Sequence, residues 1–147
     1  MNKRTIEEEL NRTGRILRTT TGISMEPMLK HRKNIVVLEK ADGILKKYDI
    51  ALFKRPNGQY VLHRVLKVRE KDYIICGDNS LQKEIVPYKW VLAYASGYYK
   101  NGKLISLDDE NYKKYLKTLG IRHIKLWIKT KAKSVIKRIK RIFNEKK

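Results

Sequence analysis

The sequence predicts a mainly β fold with an N-terminal helix and a basic amphipathic C-terminal helical extension. Three observations predict it. Between Ile35 and Tyr99, short runs rich in β-branched and aromatic residues (IVVLEK, DIALFK, YVLHRVLKV, YIIC, VLAYASGYY) are separated by the turn-forming stretches ADG, RPNG, REKD and GDNS. The hairpin pair Asn101-Gly102 sits inside YYKNGKLISL, so an extra strand pair is expected there. After Leu107 the apolar spacing changes to threes, fours and sevens: Ile121, Ile124, Ile128, Val135, Ile139 and Ile142, with Trp127, Ile136 and Phe143 beside them and lysines and arginines between.

Taken in order, residues 5–18 read as a short helix. Thr5 suits its cap, Glu7 and Glu8 its positive end, and Ile6, Leu10, Ile16 and Leu17 a partial apolar face, against which Gly14 counts. Five to seven strands follow. The 147 residues are enough for one domain with an extension, divided as a helical segment at 1–20, a β-domain at 21–107 and a cationic tail at 108–147.

The net charge of +20 is unevenly placed. From Asn111 to Lys147 there are 14 Lys or Arg against one acid, Glu145, a balance of +13; the other 110 residues carry 21 against 14, a balance of +7. The polycation is a property of the tail, so the charge does not make the whole chain a nucleic-acid-binding domain. A single cysteine, Cys76, excludes an internal disulfide and a CxxC zinc site, and no cofactor or metal is expected. No apolar run approaches the roughly 18 residues of a membrane span, and Glu7-Glu8-Glu9 stand where a secretory signal would be apolar. A cytoplasmic location is the expectation.

Chemistry is suggested by TGISMEPMLK, residues 21–30. Ser24 alone reads as a turn residue. Its setting is more specific: Gly22 permits close backbone approach, Pro27 fixes a backbone angle, and Met25 and Met28 can anchor the turn in apolar sockets. A serine nucleophile needs a base. His31 lies in the basic loop KHRK and His123 in the cationic helix, where solvated roles suffice. His63 lies inside YVLHRVLKV, where alternation puts it on one face with Val61 and Val65, so its ring must be hydrogen-bonded or at a cleft edge. Asp78, in the turn CGDNS, or Glu84, six residues on, is placed to orient an imidazole.

GISMEP, DIALF, VLHRV and GDN, in that order, resemble the signal peptidase and repressor-autoprotease superfamily of serine peptidases, over about Gly22 to Gly97. The resemblance implies that superfamily's β-fold, Ser24 as nucleophile and His63 as general base, with Gly22, Ile23, Met25 and Pro27 forming the nucleophile turn and the Ser24 N–H the oxyanion donor. Histidine in place of lysine as base is similar to the archaeal and endoplasmic-reticulum signal peptidases. Asp78 matches the Gly-Asp-Asn aspartate, while Glu84 stands where histidine-type relatives carry a second acid, so either acid is open as the partner of His63. The activity implied is cleavage of a leader or precursor peptide.

Typical signal peptidases carry a transmembrane anchor, and no stretch of these 147 residues is expected to be one. The tail is the candidate substitute, with Trp127, Lys129, Lys133, Lys137, Arg138 and Arg141 as contacts to an anionic membrane at the inner face or to another polyanion. Packing of the same stripe on the β-domain is the equal alternative. Nucleic acid is the less favoured partner. Two other functions are compatible with the sequence: a non-catalytic basic binding module, and a self-cleaving protease for which Ala95-Ser96 is a small-residue bond to consider.

Overall fold

The computed structural model describes residues 4–144. Eight strands form one antiparallel sheet: β1 (Arg15–Thr19), β2 (Ile35–Lys40), β3 (Ile50–Lys54), β4 (Tyr60–Val68), β5 (Asp72–Cys76), β6 (Lys83–Pro87), β7 (Val91–Lys100) and β8 (Lys103–Ser106). Helix α1 (Ile6–Thr13) precedes them and α2 (Glu110–Asn144) follows. The order across the sheet is β1-β2-β7-β3-β4-β5-β6. Strand β7 gives one edge to β2 and divides the other, its first half pairing with β3 and its second half with β8. The β7–β8 turn is at Asn101-Gly102, both with positive φ, as the hairpin signal predicts.

The helix expected over 5–18 stops at Thr13. Its start is as read: the Thr5 hydroxyl accepts from the Glu8 N–H, and the Glu8 carboxylate accepts from the Thr5 N–H. Gly14 ends it in the left-handed region, φ 68°, its N–H donating to the Leu10 carbonyl. Arg15–Thr19 then pairs along β2, from Arg15 opposite Glu39 to Thr19 opposite Ile35. Ile16, assigned above to a helix face, is an inward strand residue, 4% exposed. A five-residue stretch such as RILRT fits a period of two as well as one turn of helix, and Gly14 decides between them. Strand β6 has no signal in the sequence, because KEIVP has too little apolar character to announce itself; all five of its residues pair with β5.

Two apolar clusters flank the sheet. The first contains Leu10, Ile16, Met25, Leu29, Val36, Leu38, Ile50 and Leu52, and the second Leu45, Phe53, Val61, Val65, Tyr73, Ile75 and Val86. Strand β4 feeds both, with Val61 and Val65 in one and Tyr60 and Leu62 against the other, which is the predicted alternation.

The extension expected from residue 108 is helical but not uniform. Its first three turns pack on the domain: Tyr112 and Tyr115 lie against the first cluster, and Leu119 is 4% exposed. From Ile121 onward the apolar stripe belongs to neither cluster, and Ile121, Ile124, Trp127, Ile128, Val135, Ile136, Ile139, Ile142 and Phe143 are all exposed. No helix among the described residues is long and apolar enough to cross a membrane.

Candidate active site

The turn carrying Ser24 is shaped by its neighbours. Gly22 has φ 81°, a conformation that favours glycine, and its N–H donates to His31 Nδ1 at 2.8 Å. Met25 is buried in the first cluster, and Met28 is buried beside Arg64. Pro27 follows a cis peptide bond, while Ile23 is exposed at the rim. Two apolar anchors thus pin a loop whose polar tip stays accessible.

Ser24 and His63, 39 positions apart, converge: Ser24 Oγ stands 3.0 Å from His63 Nε2. Behind the ring, Glu84 Oε1 lies 3.3 Å from His63 Nδ1. That is ion-pair distance, but the angle is poor for a hydrogen bond and Nδ1 has no other partner among the described residues. Glu84 is held by Arg55, whose Nε and Nη2 donate to its two oxygens at 2.9 and 2.6 Å. Burial is the main influence on His63 and pushes its pKa below the ordinary 6.5; Glu84 pulls it up and Arg55 pushes it down. The result is an imidazole that is neutral near neutrality and faces a hydroxyl.

Of the two acids left open by the sequence, Glu84 is the one beside His63. Asp78 turns the other way. It is 4% exposed, and both of its oxygens accept from Arg64, Nε to Oδ1 and Nη2 to Oδ2, each at 2.7 Å. Arg64, next in sequence to His63, is fully buried; its Nη1 donates to the Tyr48 carbonyl at 2.9 Å and to the Tyr112 hydroxyl at 2.6 Å. Tyr115 donates to Asp78 Oδ2 at 2.9 Å, so α2 completes the cage. Burial alone would lower the Arg64 pKa, but the bonds and charge of Asp78 outweigh it and raise the pKa.

This cage fixes the loop that follows β5. Asn79 N–H donates to the Ser24 carbonyl at 2.7 Å, and Asn79 Nδ2 donates to the Ile23 carbonyl at 3.2 Å. A Cβ at Gly77 would lie 2.6 Å from the Ser24 carbonyl oxygen, 3.0 Å from Ser24 Cβ and 3.2 Å from His63 Nε2. Only glycine allows the two candidate groups to meet there. Sequence reasoning reads GDN as a turn and does not foresee this role, nor those of Arg55, Arg64, Tyr112 and Tyr115. The one signal available for Arg64 is its place beside His63.

Ser24 and His63 open into a cleft of about 510 Å³ whose walls include Arg18–Gly22 on one side and Tyr60–His63 on the other. Strands β1 and β4 are well separated in the sheet order, with β2, β7 and β3 between them, so the sheet curls to bring them face to face. Strand β1 ends the sheet, and β4 pairs with β5 only from Arg64 onward, which leaves strand edges on both sides of the cleft. Among the described residues no acceptor takes the Ser24 N–H. Trp127, Lys129, Lys133, Lys137, Arg138 and Arg141 all lie on the exposed part of α2 and form no part of this cleft.

No protein-family model matches this chain, and no curated protein matches it.

Proposed function

We propose that the chain is a serine endopeptidase of the signal peptidase-like type, with Ser24 as nucleophile, His63 as general base and Glu84 as the acid that steadies the imidazolium. The contact of Ser24 Oγ with His63 Nε2 carries the reading, because a hydroxyl becomes a competent nucleophile when a neutral base can take its proton. A leader or precursor peptide lies extended between the edges of β1 and β4, adding a strand to the curled sheet. Ser24 Oγ attacks the scissile carbonyl while its proton passes to His63 Nε2, and the Ser24 N–H faces the oxyanion. The C–N bond then breaks as His63 returns that proton to the leaving amine. Water, deprotonated by His63, releases the acyl group and restores the serine. The bond Ala95-Ser96 is a poor target for self-cleavage, since it lies within β7, where Ala95 is paired with Leu38 of β2. The test is a fluorophosphonate probe: the wild type is labelled at Ser24 and Ser24→Ala is not. Equal labelling of both, or of neither, leaves a non-catalytic basic module instead.

A second reading concerns α2, whose stripe of exposed isoleucines with Trp127 and Phe143 lies among cations. An anionic membrane surface, as at the inner face of the cytoplasmic membrane, fits both: each basic residue near it contributes about 1 kcal/mol, and the apolar stripe enters the headgroup boundary. Phosphates of nucleic acid would use the charge and leave the stripe in water. The full chain is therefore expected to sediment with phosphatidylglycerol-containing vesicles and not with pure phosphatidylcholine. Trp127→Ala with Phe143→Ala should weaken that binding about tenfold or more, and unchanged binding would reject insertion of the stripe.

A further inference from the structure

The cleft has two unlike ends. At the Tyr60 end α1 crosses it. Glu7 accepts from Lys54 Nζ of β3 at 2.7 Å and from the Tyr60 hydroxyl of β4 at 2.5 Å, while Glu9 pairs with Arg18 of β1. One helix is thereby tied to both walls, with Ile6 lining the space between them. The cations at this end are neutralised by the chain's own acids, and Glu84 does the same for Arg55.

The Ser24 end has a different character. There Lys30, His31, Arg32 and Lys33 fold back beside the nucleophile turn, all four exposed. Their backbone is fixed. Arg32 N–H donates to the Thr20 carbonyl at 2.8 Å, the Thr20 hydroxyl to the Lys30 carbonyl at 2.7 Å, and Lys30 N–H to Asn34 Oδ1 at 2.7 Å. The Gly22 N–H to His31 Nδ1 bond ties the loop to a residue two positions before Ser24. Among the described residues no carboxylate pairs with Lys30, Arg32 or Lys33, and Glu26 is the only acid between residues 20 and 34.

A run of exposed cations is commonly just a solvated face. In this loop the backbone that carries the charges is fixed beside the nucleophile turn, just outside the cleft, whereas the cations that line the cleft, Arg18 and Arg55, each have an acid. We infer that the 30–33 loop is a specificity site that receives acidic side chains of the peptide on the open side of the scissile bond. The inference rests on the peptidase reading for the position of that bond. At about 3.3 Å per extended residue, lysine and arginine side chains rooted there reach acids within about four residues of the cleaved bond.

Fluorophosphonate labelling of the full chain in the presence of hexaglutamate, hexaserine or hexalysine tests it. Hexaglutamate is expected to slow labelling of Ser24 about tenfold at low salt, with little slowing at about 0.5 M NaCl, where exposed charges are screened; the other two peptides should not slow it. The protection should disappear in the triple variant Lys30→Gln, Arg32→Gln and Lys33→Gln, which keeps the loop's hydrogen bonds because none uses those side chains. Absence of protection, or equal protection in the triple variant because the peptide sits on α2, overturns the inference and leaves the peptidase reading standing. Weaker binding of the triple variant to phosphatidylglycerol vesicles with hexaglutamate protection unchanged makes the loop a membrane contact and also overturns it. Absence of labelling of the wild type without any peptide removes both readings.

Discussion

Replacing His63 by alanine is expected to lower the rate of fluorophosphonate labelling at Ser24 by about 10²- to 10⁴-fold, the usual contribution of a positioned base, without unfolding the sheet. The wild-type rate should follow the neutral form of the ring. Burial disfavours the imidazolium, so the rate falls on acidification with its midpoint below the ordinary 6.5 of a histidine. Glu84→Gln sharpens the test. Removing the carboxylate takes away the charge that pulls the His63 pKa up and leaves Arg55 to push it down, so the midpoint moves further to acid. The plateau should fall as well, by about tenfold or more, because nothing then steadies the imidazolium. A midpoint that moves toward alkali, or does not move, would mean that Glu84 is not coupled to the ring.

Asp78→Ala is expected to act through stability. It leaves Arg64 buried with its charge uncompensated, with the neutral Tyr48 carbonyl, Tyr112 hydroxyl and Met28 sulfur as its acceptors. Breaking one partner of such a pair costs roughly 3–5 kcal/mol. In a chain of this size that corresponds to a fall in Tm of about 10 °C or more, read by calorimetry or circular dichroism. The contrast with Glu84→Gln decides between the two acids. Were Asp78→Ala to keep its Tm and lose only labelling, Asp78 would be the acid that serves His63, and the roles of Asp78 and Glu84 would be exchanged.

The legibility of the fold followed local signal strength. Strands β2, β3, β4, β5 and β7 were readable because their β-branched and aromatic residues sit between turn formers, and β8 because Asn101-Gly102 permits little else. Strand β1 was lost to a competing helical reading of five residues, and β6 is stabilised by its neighbour β5 more than by its own composition. Within the site, His63 was legible from alternation, and the pairing of Ser24 with it from the ordered set of motifs. The choice of acid was not legible. Asp78 and Glu84 are six positions apart, and what separates them is Arg64, which claims Asp78 from a strand 14 residues earlier. Nor does any local signal announce that an arginine in a strand will be fully buried, since that depends on two tyrosines from a helix that begins more than forty residues later.

Those tyrosines also limit how freely the cationic arm can be exchanged. Tyr112 and Tyr115 lie in the first turns of the same continuous helix that carries Trp127 and Phe143, so a graft that swapped everything after Ser106 would unseal the Arg64–Asp78 pair along with removing the exposed stripe. A transplant joined beyond His123 would replace the arm alone and keep the β-domain sealed. The helix runs without a break from one part to the other, and its lower part cannot be redesigned as though it were a tether.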